Sequence, residues 1–347
     1  MIRHTSIFET LRHEILAGKY EATKVMPSEM ELAKRFECSR PTISRVMLDL
    51  KREGLVVTRA GVPAQVSGFA LNATGALGMV VPGENYTEIF SPICAAIERI
   101  AEGKGWDVIR GEIKSTDARV RAREARKLAY QFSKEHVAGV FFQPLEFIED
   151  YAASSLEIIS YFDMSMIPVC LLDYDIMPPP DRSGYDLVGI DNFMAGFTVG
   201  RELLKRGAKK IAFLQRPGAA PTVGERMHGV ASAVIEAGGS WSLKENVLRC
   251  EPEDRRRVNA FVKKCRPDAI VSGNDVAAAR LKECLGSESR ILLGGFDGLK
   301  VAEENDIVTC RQPIAEIAQI AVDTLLSRIK SPSLPTRTSL LYAERVT

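Results

Sequence analysis

The chain has no long apolar run, no paired cysteines and no excess of either charge, and each absence closes off a class of protein. No stretch approaches the ~20 consecutive apolar residues that span a bilayer. No charged, apolar, small-residue secretion signal opens the sequence, so residence in the cytoplasm and no membrane partner are the expectations. The seven cysteines (Cys38, Cys94, Cys170, Cys250, Cys265, Cys284 and Cys310) show no C-x-x-C spacing and read as reduced, mostly buried thiols. The four histidines are scattered without H-x-x-x-H spacing, so no metal site is expected. G-x-S-x-G, G-x-x-x-x-G-K-[ST] and G-x-G-x-x-G are all missing, which removes the core residues of hydrolase, P-loop and dinucleotide readings. No catalytic residue and no cofactor is assigned.

What is present is a soluble-protein composition, 46% hydrophobic and 26% charged, in 347 residues. That length exceeds one ordinary core, so two or three domains are expected. Net charge is +1, split unevenly: residues 1–70 hold 11 Lys/Arg against 8 Asp/Glu, and the remainder holds 35 against 37. The split permits a nucleic-acid-binding head without demonstrating one. The basic run 119–127 (RVRAREARK) is interrupted by Glu124 and followed by Leu128, which reads as a solvated helix face.

The first informative stretch is Met26–Arg59. Pro27 and Ser28 open a short helix, with Ser28 and Glu31 spaced as a capping box. Glu37 and Cys38 turn the chain, Ser39 caps a second helix, and Pro41 is tolerated in its first turn. Ile43, Val46, Met47 and Leu50 make one buried stripe, which leaves Arg40, Thr42 and Arg45 outside it, suited to a major groove. Leu55 to Gly68 alternates around a Gly-Val-Pro turn as a wing with Arg59 near its tip. With the packing helix 6–16, this is a winged helix-turn-helix. The stretch PSEMELAKRFECSRPTISRVMLDLKREGLV resembles the GntR-type DNA-binding domain, with Pro63 and Ala64 where the family's wing has a glycine and a threonine. The expected DNA-binding residues are Ser28, Glu29, Arg35, Ser39, Arg40, Thr42, Arg45 and Arg59.

Residues 68–76 are small and polar, a linker between the head (1–67) and the remainder (77–347). From Leu77 onward, apolar runs at 77–81, 106–110, 137–142, 167–172, 187–190, 210–214, 268–272 and 291–296 alternate with amphipathic helices. Such alternation argues for an α/β fold with parallel sheets flanked by helices, and the Pro-rich 177–182 suggests two lobes. VGIDNFMAGFTVGRELLKRGAKKIAFL, GERMHGVASAVIEAG, DAIVSGNDVAAA and LLGGFDG, in this order, resemble the LacI/GalR-type, periplasmic-binding-protein-like sensor. The whole is similar to arabinose-repressor-type bacterial regulators. The resemblance implies three crossings between lobes, placed near 174–186, 294–299 and 310–314.

Ligands of such folds bind outside the C-terminal ends of the strands, where the lobes meet. The loops there offer Tyr86, Phe90, Gln143, Asp173, Arg226, Asn274, Asp297 and Gln312, and the resemblance implies effector contact by the last four. Carboxylates, amides and a guanidinium beside an aromatic suit a sugar or sugar derivative. Asn192 is expected to cap the helix that follows it. The loop after 246–249, which often supplies a stacking aromatic in the family, reads RCEPED. The reading is a ligand-responsive regulator, a repressor released from a palindromic double-stranded DNA operator by a sugar-like effector and acting as a homodimer. A transport binding protein would have no use for the head. An enzyme with such a head would need a catalytic domain where the sensor segments stand.

Overall fold

The computed structural model describes residues 2–16, 19–20, 23, 25–59, 62–66, 76–84, 87–111, 113–135, 137–148, 150–178 and 180–346. The linker at 68–75 and Tyr86 lie outside them, as does the side chain of Arg59.

The head consists of α1 (Ile2–Leu16), α2 (Glu29–Arg35), α3 (Arg40–Arg52) and an antiparallel hairpin of β1 (Val56–Arg59) and β2 (Val62–Val66). Ser28 and Glu31 close the capping box, and the Ser39 side chain caps α3. The stripe Ile43, Val46, Met47 and Leu50 is buried against Ile7, Leu11 and Ile15 of α1 and Leu32 of α2. Gly54, at φ +71°, turns the chain from α3 into the wing, a backbone state open to glycine without a Cβ clash.

The remainder holds two six-stranded sheets. In the first lobe β3 (Ala76–Val80), β4 (Asp107–Arg110), β5 (Gly139–Phe142), β6 (Val169–Leu172) and β7 (Asp186–Ile190) alternate with α4 (Phe90–Glu102), α5 (Ala118–Glu135) and α6 (Tyr151–Met164). The second lobe begins with α7 (Asn192–Lys205), β8 (Ile211–Gln215), α8 (Pro221–Glu236), α9 (Leu243–Asn246) and β9 (Val247–Arg249). It continues through α10 (Arg255–Cys265), β10 (Ala269–Ser272), α11 (Asp275–Leu285), β11 (Leu292–Gly294), α12 (Lys300–Glu304) and β12 (Ile307–Arg311). The chain ends with α13 (Ile314–Lys330), β13 (Thr338–Leu341) and β14 (Glu344–Val346). The sheet orders are β13-β7-β6-β5-β3-β4 and β14-β12-β11-β10-β8-β9, all parallel except for the β12–β14 pair. Four strands escape the reading by apolar runs: β9, β12, β13 and β14. The last two lie at sheet edges, and β13 alternates exposed with half-buried residues, so it has no apolar run.

The crossings between lobes are at 190–192, 311–314 and 341–344, where the chain leaves β7, β12 and β13. Two of the expected positions are therefore corrected. The segment 174–186 leaves β6 and returns to β7, its neighbour in the same sheet (Cys170 opposite Asp186). Its prolines decorate a loop closed locally by Asp175, whose carboxylate accepts the N–H groups of Met177 (2.8 Å) and Ser183 (3.1 Å). Likewise 294–299 joins β11 to α12, which leads on to β12, the neighbour of β11 in the second sheet.

The C-terminal return is held by one buried carboxylate. Asp186, 1% exposed, accepts Arg328 Nε and Nη2, both at 2.9 Å, and the Arg337 N–H at 2.8 Å. The same guanidinium donates to the carbonyls of Pro332 (3.1 Å), Leu334 and Pro335 (3.0 Å), which shapes the turn between α13 and β13. Breaking a buried pair leaves an uncompensated charge. Arg328→Ala is expected to destabilise the protein by on the order of 3 kcal/mol, measured by urea unfolding; a change within experimental error would remove this role.

Candidate functional site

In the head, Arg40 and Arg45 are exposed near the start of α3. Glu29 braces that start: one oxygen accepts Arg40 Nε at 3.2 Å and Ser44 Oγ at 2.8 Å. Thr42 shares a 2.8 Å hydroxyl contact with Ser39. Ser28 and Ser39 thus orient the helices, while Arg40 and Arg45 remain extended toward solvent. Arg35 is engaged otherwise. Its guanidinium pairs with Glu14, donates to the Tyr20 hydroxyl at 3.3 Å and lies 4.7 Å from the Phe36 ring centroid. Arg35 holds the Glu14 carboxyl down at about 2, and the pair ties α2 to α1.

Between the lobes lies a cleft of about 850 Å³, counted to its open mouth, at the C-terminal ends of the parallel strands. Phe90, Asp173, Arg226, Asn274, Asp297 and Gln312 all line it. Gln143 does not. It is fully buried behind the wall, where its Oε1 accepts the Gly83 N–H at 3.0 Å and fixes the turn after β3. Thr87, Glu146, Phe147, Arg216 and Thr222 also line the cleft and were not singled out from sequence. Each lies in a segment after β3, β5 or β8, or in the first turn of α8, so the rule that selects loops after strands could have found them.

Arg226 is the centre of the second lobe's contribution. It is 5% exposed, sits on α8, and is brought close to α7 by Gly196, where a Cβ would lie 2.0 Å from the Arg226 carbonyl oxygen. Its Nε donates to Asn192 Oδ1 (2.8 Å), its Nη1 donates to the Gly273 carbonyl (2.6 Å) and lies 4.0 Å from Asp297, and Phe296 packs beneath it. Asp297 in turn accepts Gln312 Nε2 at 2.8 Å. Asn192 is not the cap of α7, because Asp191 accepts the Met194 N–H. Instead, Asn192 donates to the Ile190 carbonyl at 3.1 Å and positions Arg226. Asn274 caps α11 by accepting the Ala277 N–H at 2.8 Å, which leaves its NH₂ as the remaining donor.

Asp173 and Asp297 hold φ of +73° and +109°, strained values for residues with a Cβ and a feature that concentrates at ligand sites. Burial raises the pKa of both, opposed by the Arg226 guanidinium. Asp275, behind Asp297, is pushed up by burial and then by the Asp297 charge. Glu146 rises to about 7, first from burial and then from Asp173, while the Thr87 hydroxyl donating to it at 3.1 Å acts the other way. The cleft therefore offers three carboxyls, an amide donor and two guanidiniums: Arg226, which donates to Asn192 and Gly273, and Arg216, which donates to Glu251.

A winged head joined to a two-lobed cleft defines a regulator class. Residues 74–295 match the family described as periplasmic binding proteins and sugar binding domain of LacI family, and residues 4–66 match bacterial regulatory proteins, gntR family. The chain belongs to the former family and is a DNA-binding transcriptional regulator of the LacI/PurR type with a ligand-binding domain, not an enzyme. It is 25% identical over 341 residues to an HTH-type transcriptional repressor PurR of Erwinia tasmaniensis, covering 91% of this chain and 94% of the relative. A PurR of Edwardsiella ictaluri is 25% identical over 329 residues, covering 88% and 91%. Among solved structures, a transcriptional regulator CelR–cellobiose complex superposes with a TM-score of 0.66 at 17% identity, over 93% of this chain and 99% of that one. A LacI family regulator of Enterococcus faecium with bound ribose gives 0.61 at 19%, over 78% and 97%. The solved structures support the fold.

A carboxyl whose folded pKa lies above its unfolded value binds its proton more tightly when folded. Its contribution to stability is therefore lost as pH rises from about 4.5 to about 7 and stays lost above. Glu146→Gln is expected to raise the unfolding temperature over wild type near pH 8 and to leave it unchanged near pH 4.5. Equal shifts at both pH values, read by scanning fluorimetry, would refute the assignment.

Proposed function

We propose that the protein is a homodimeric repressor that sits on a palindromic operator in the cytoplasm and is released when a neutral sugar binds between the lobes. The observation that carries the sugar is the donor balance of the cleft. Glu146, Asp173 and Asp297 line it, and of its two guanidiniums the buried Arg226 already donates to Asn192 and Gly273 and Arg216 to Glu251, so the carboxyls outnumber them. Hydroxyls satisfy buried carboxylates by donating, whereas an anionic ligand would add a like charge in a low-dielectric site. The cellobiose and ribose held by the structural relatives support the same class. In the head, phosphate contacts would supply much of the affinity, while Arg40, Thr42 and Arg45 face the bases. Dimerisation follows from the short span that one recognition helix reads. Two of the three crossings adjoin the Arg226 network, at Asn192 and Gln312, so a ligand that favours closure changes lobe geometry and with it the spacing of two heads. A 10-fold preference for one arrangement supplies ~1.4 kcal/mol of coupling.

Two outcomes test this. Arg40→Ala should weaken operator binding by about 1–3 kcal/mol in a gel shift with the adjoining upstream DNA, while Arg35→Ala should first lower head stability; absence of any sequence-specific shift by the wild type ends the regulator reading of this head. In a thermal-shift screen, neutral monosaccharides and disaccharides should stabilise the wild type and sugar acids should not. Asp297→Asn should weaken that response at least ~10-fold in apparent affinity, a loss of ~1.4 kcal/mol. Stabilisation by anionic compounds alone, or by a non-sugar co-repressor that tightens operator binding, would replace the reading.

A further inference from the structure

The loop after β9 carries no ring into the cleft: Cys250 is buried in one hydrophobic cluster of the second lobe, and Trp241 packs against a different cluster. The next residue, Glu251, receives Arg216 Nε at 2.7 Å. The Arg216 guanidinium lies 4.5 Å from the centroid of Phe147, a residue of the opposite lobe. Beside that contact the Phe147 N–H donates to the Gly218 carbonyl at 2.7 Å, again across the lobes. Both residues are in the left-handed region, Phe147 at φ +58° and Gly218 at φ +69°. A Cβ on Gly218 would lie 3.1 Å from the Phe147 Cα, so the strips after β5 and β8 meet backbone to backbone. None of the three covalent crossings passes through this meeting, and it joins the lobes by non-covalent contacts.

We propose that Phe147 is the stacking wall of the effector site and that Arg216, anchored by Glu251, holds it in place, so the wall exists only when the lobes are closed. The proposal rests on the cleft being the effector site, and it assigns the ring a source in the lobe opposite the expected one. The chemistry is complementary. Arg216 lies 4.5 Å from the ring centroid in a cation–π arrangement, Phe147 is among the residues lining the cleft, and a pyranose or furanose offers an apolar C–H face that an aromatic accepts. Phe147 in a left-handed conformation is strained, and the contacts with Gly218 and Arg216 are what offset that strain. When the lobes part, those contacts go and the backbone is free to relax. Ligand stacking and lobe closure are thereby one equilibrium, which is the requirement for a ligand to shift it.

The test uses the full-length protein and two readouts. Hydrogen–deuterium exchange of the peptide containing Phe147, with the β10 peptide as internal reference for an intact fold, needs no ligand. Arg216→Ala and Glu251→Gln should each raise exchange at Phe147 several-fold and leave β10 unchanged, and Arg216→Lys should fall between. In the second readout, Phe147→Ala should weaken binding of the sugar that most stabilises the wild type by at least ~10-fold, while Phe147→Tyr retains it. Unchanged exchange in Arg216→Ala overturns the latch, and binding within twofold of wild type in Phe147→Ala overturns the wall. If no sugar binds the wild type, the sugar reading falls by itself and the exchange readout still decides the latch.

Discussion

A guanidinium cannot shed its charge inside a protein, so burying Arg226 obliges the surrounding chain to satisfy it. That obligation organises the sensor. Asn192 stands at the first crossing and reaches back to the Ile190 carbonyl; Gly273 follows β10; Asp297 follows β11 and is held by Gln312 at the second crossing. One side chain thereby links two of the crossings between the lobes with the walls of the cleft. The close approach that places it depends on Gly196, because any side chain there would occupy the Arg226 carbonyl.

The same logic of satisfied charge separates the head's arginines. Arg35 is held by Glu14 and Tyr20 and fastens two helices, whereas Arg40 and Arg45 are exposed on α3. Glu29 steadies Arg40 by one exposed ion pair, an interaction weak enough to yield to a phosphate or a base edge. Arginines a few residues apart are thus placed differently, one tied between two helices and two exposed on α3, although all belong to one basic surface when read as composition.

In the sequence, much of this was legible where the signal was local. The capping box at Ser28, the Ser39 cap and the stripe from Ile43 to Leu50 are short-range features, and each stands in the structure. The parallel strands announced themselves as apolar runs because both faces are covered by helices. Six cleft residues were reached by asking which loops follow those strands. Gln143 was misplaced because the same rule does not say whether a side chain turns into the cleft or into the wall. The crossings were misplaced because prolines mark a bend without saying which sheet receives the chain afterwards. That answer lies in strand pairing, and the edge strands β13 and β14 carry too weak an apolar pattern to reveal it.

Sequence by itself determined the head, the helices, most strands and the kinds of groups that face the cleft, since caps, periodicity and chain order act over a few residues. Tertiary structure alone decided that Asn192 serves Arg226 rather than a helix end, that Arg35 pairs with Glu14 of another helix, and that Phe147 meets Arg216 and Gly218 of the opposite lobe. Those outcomes depend on segments far apart in the chain meeting after two sheets have formed and closed, and no local period records that meeting.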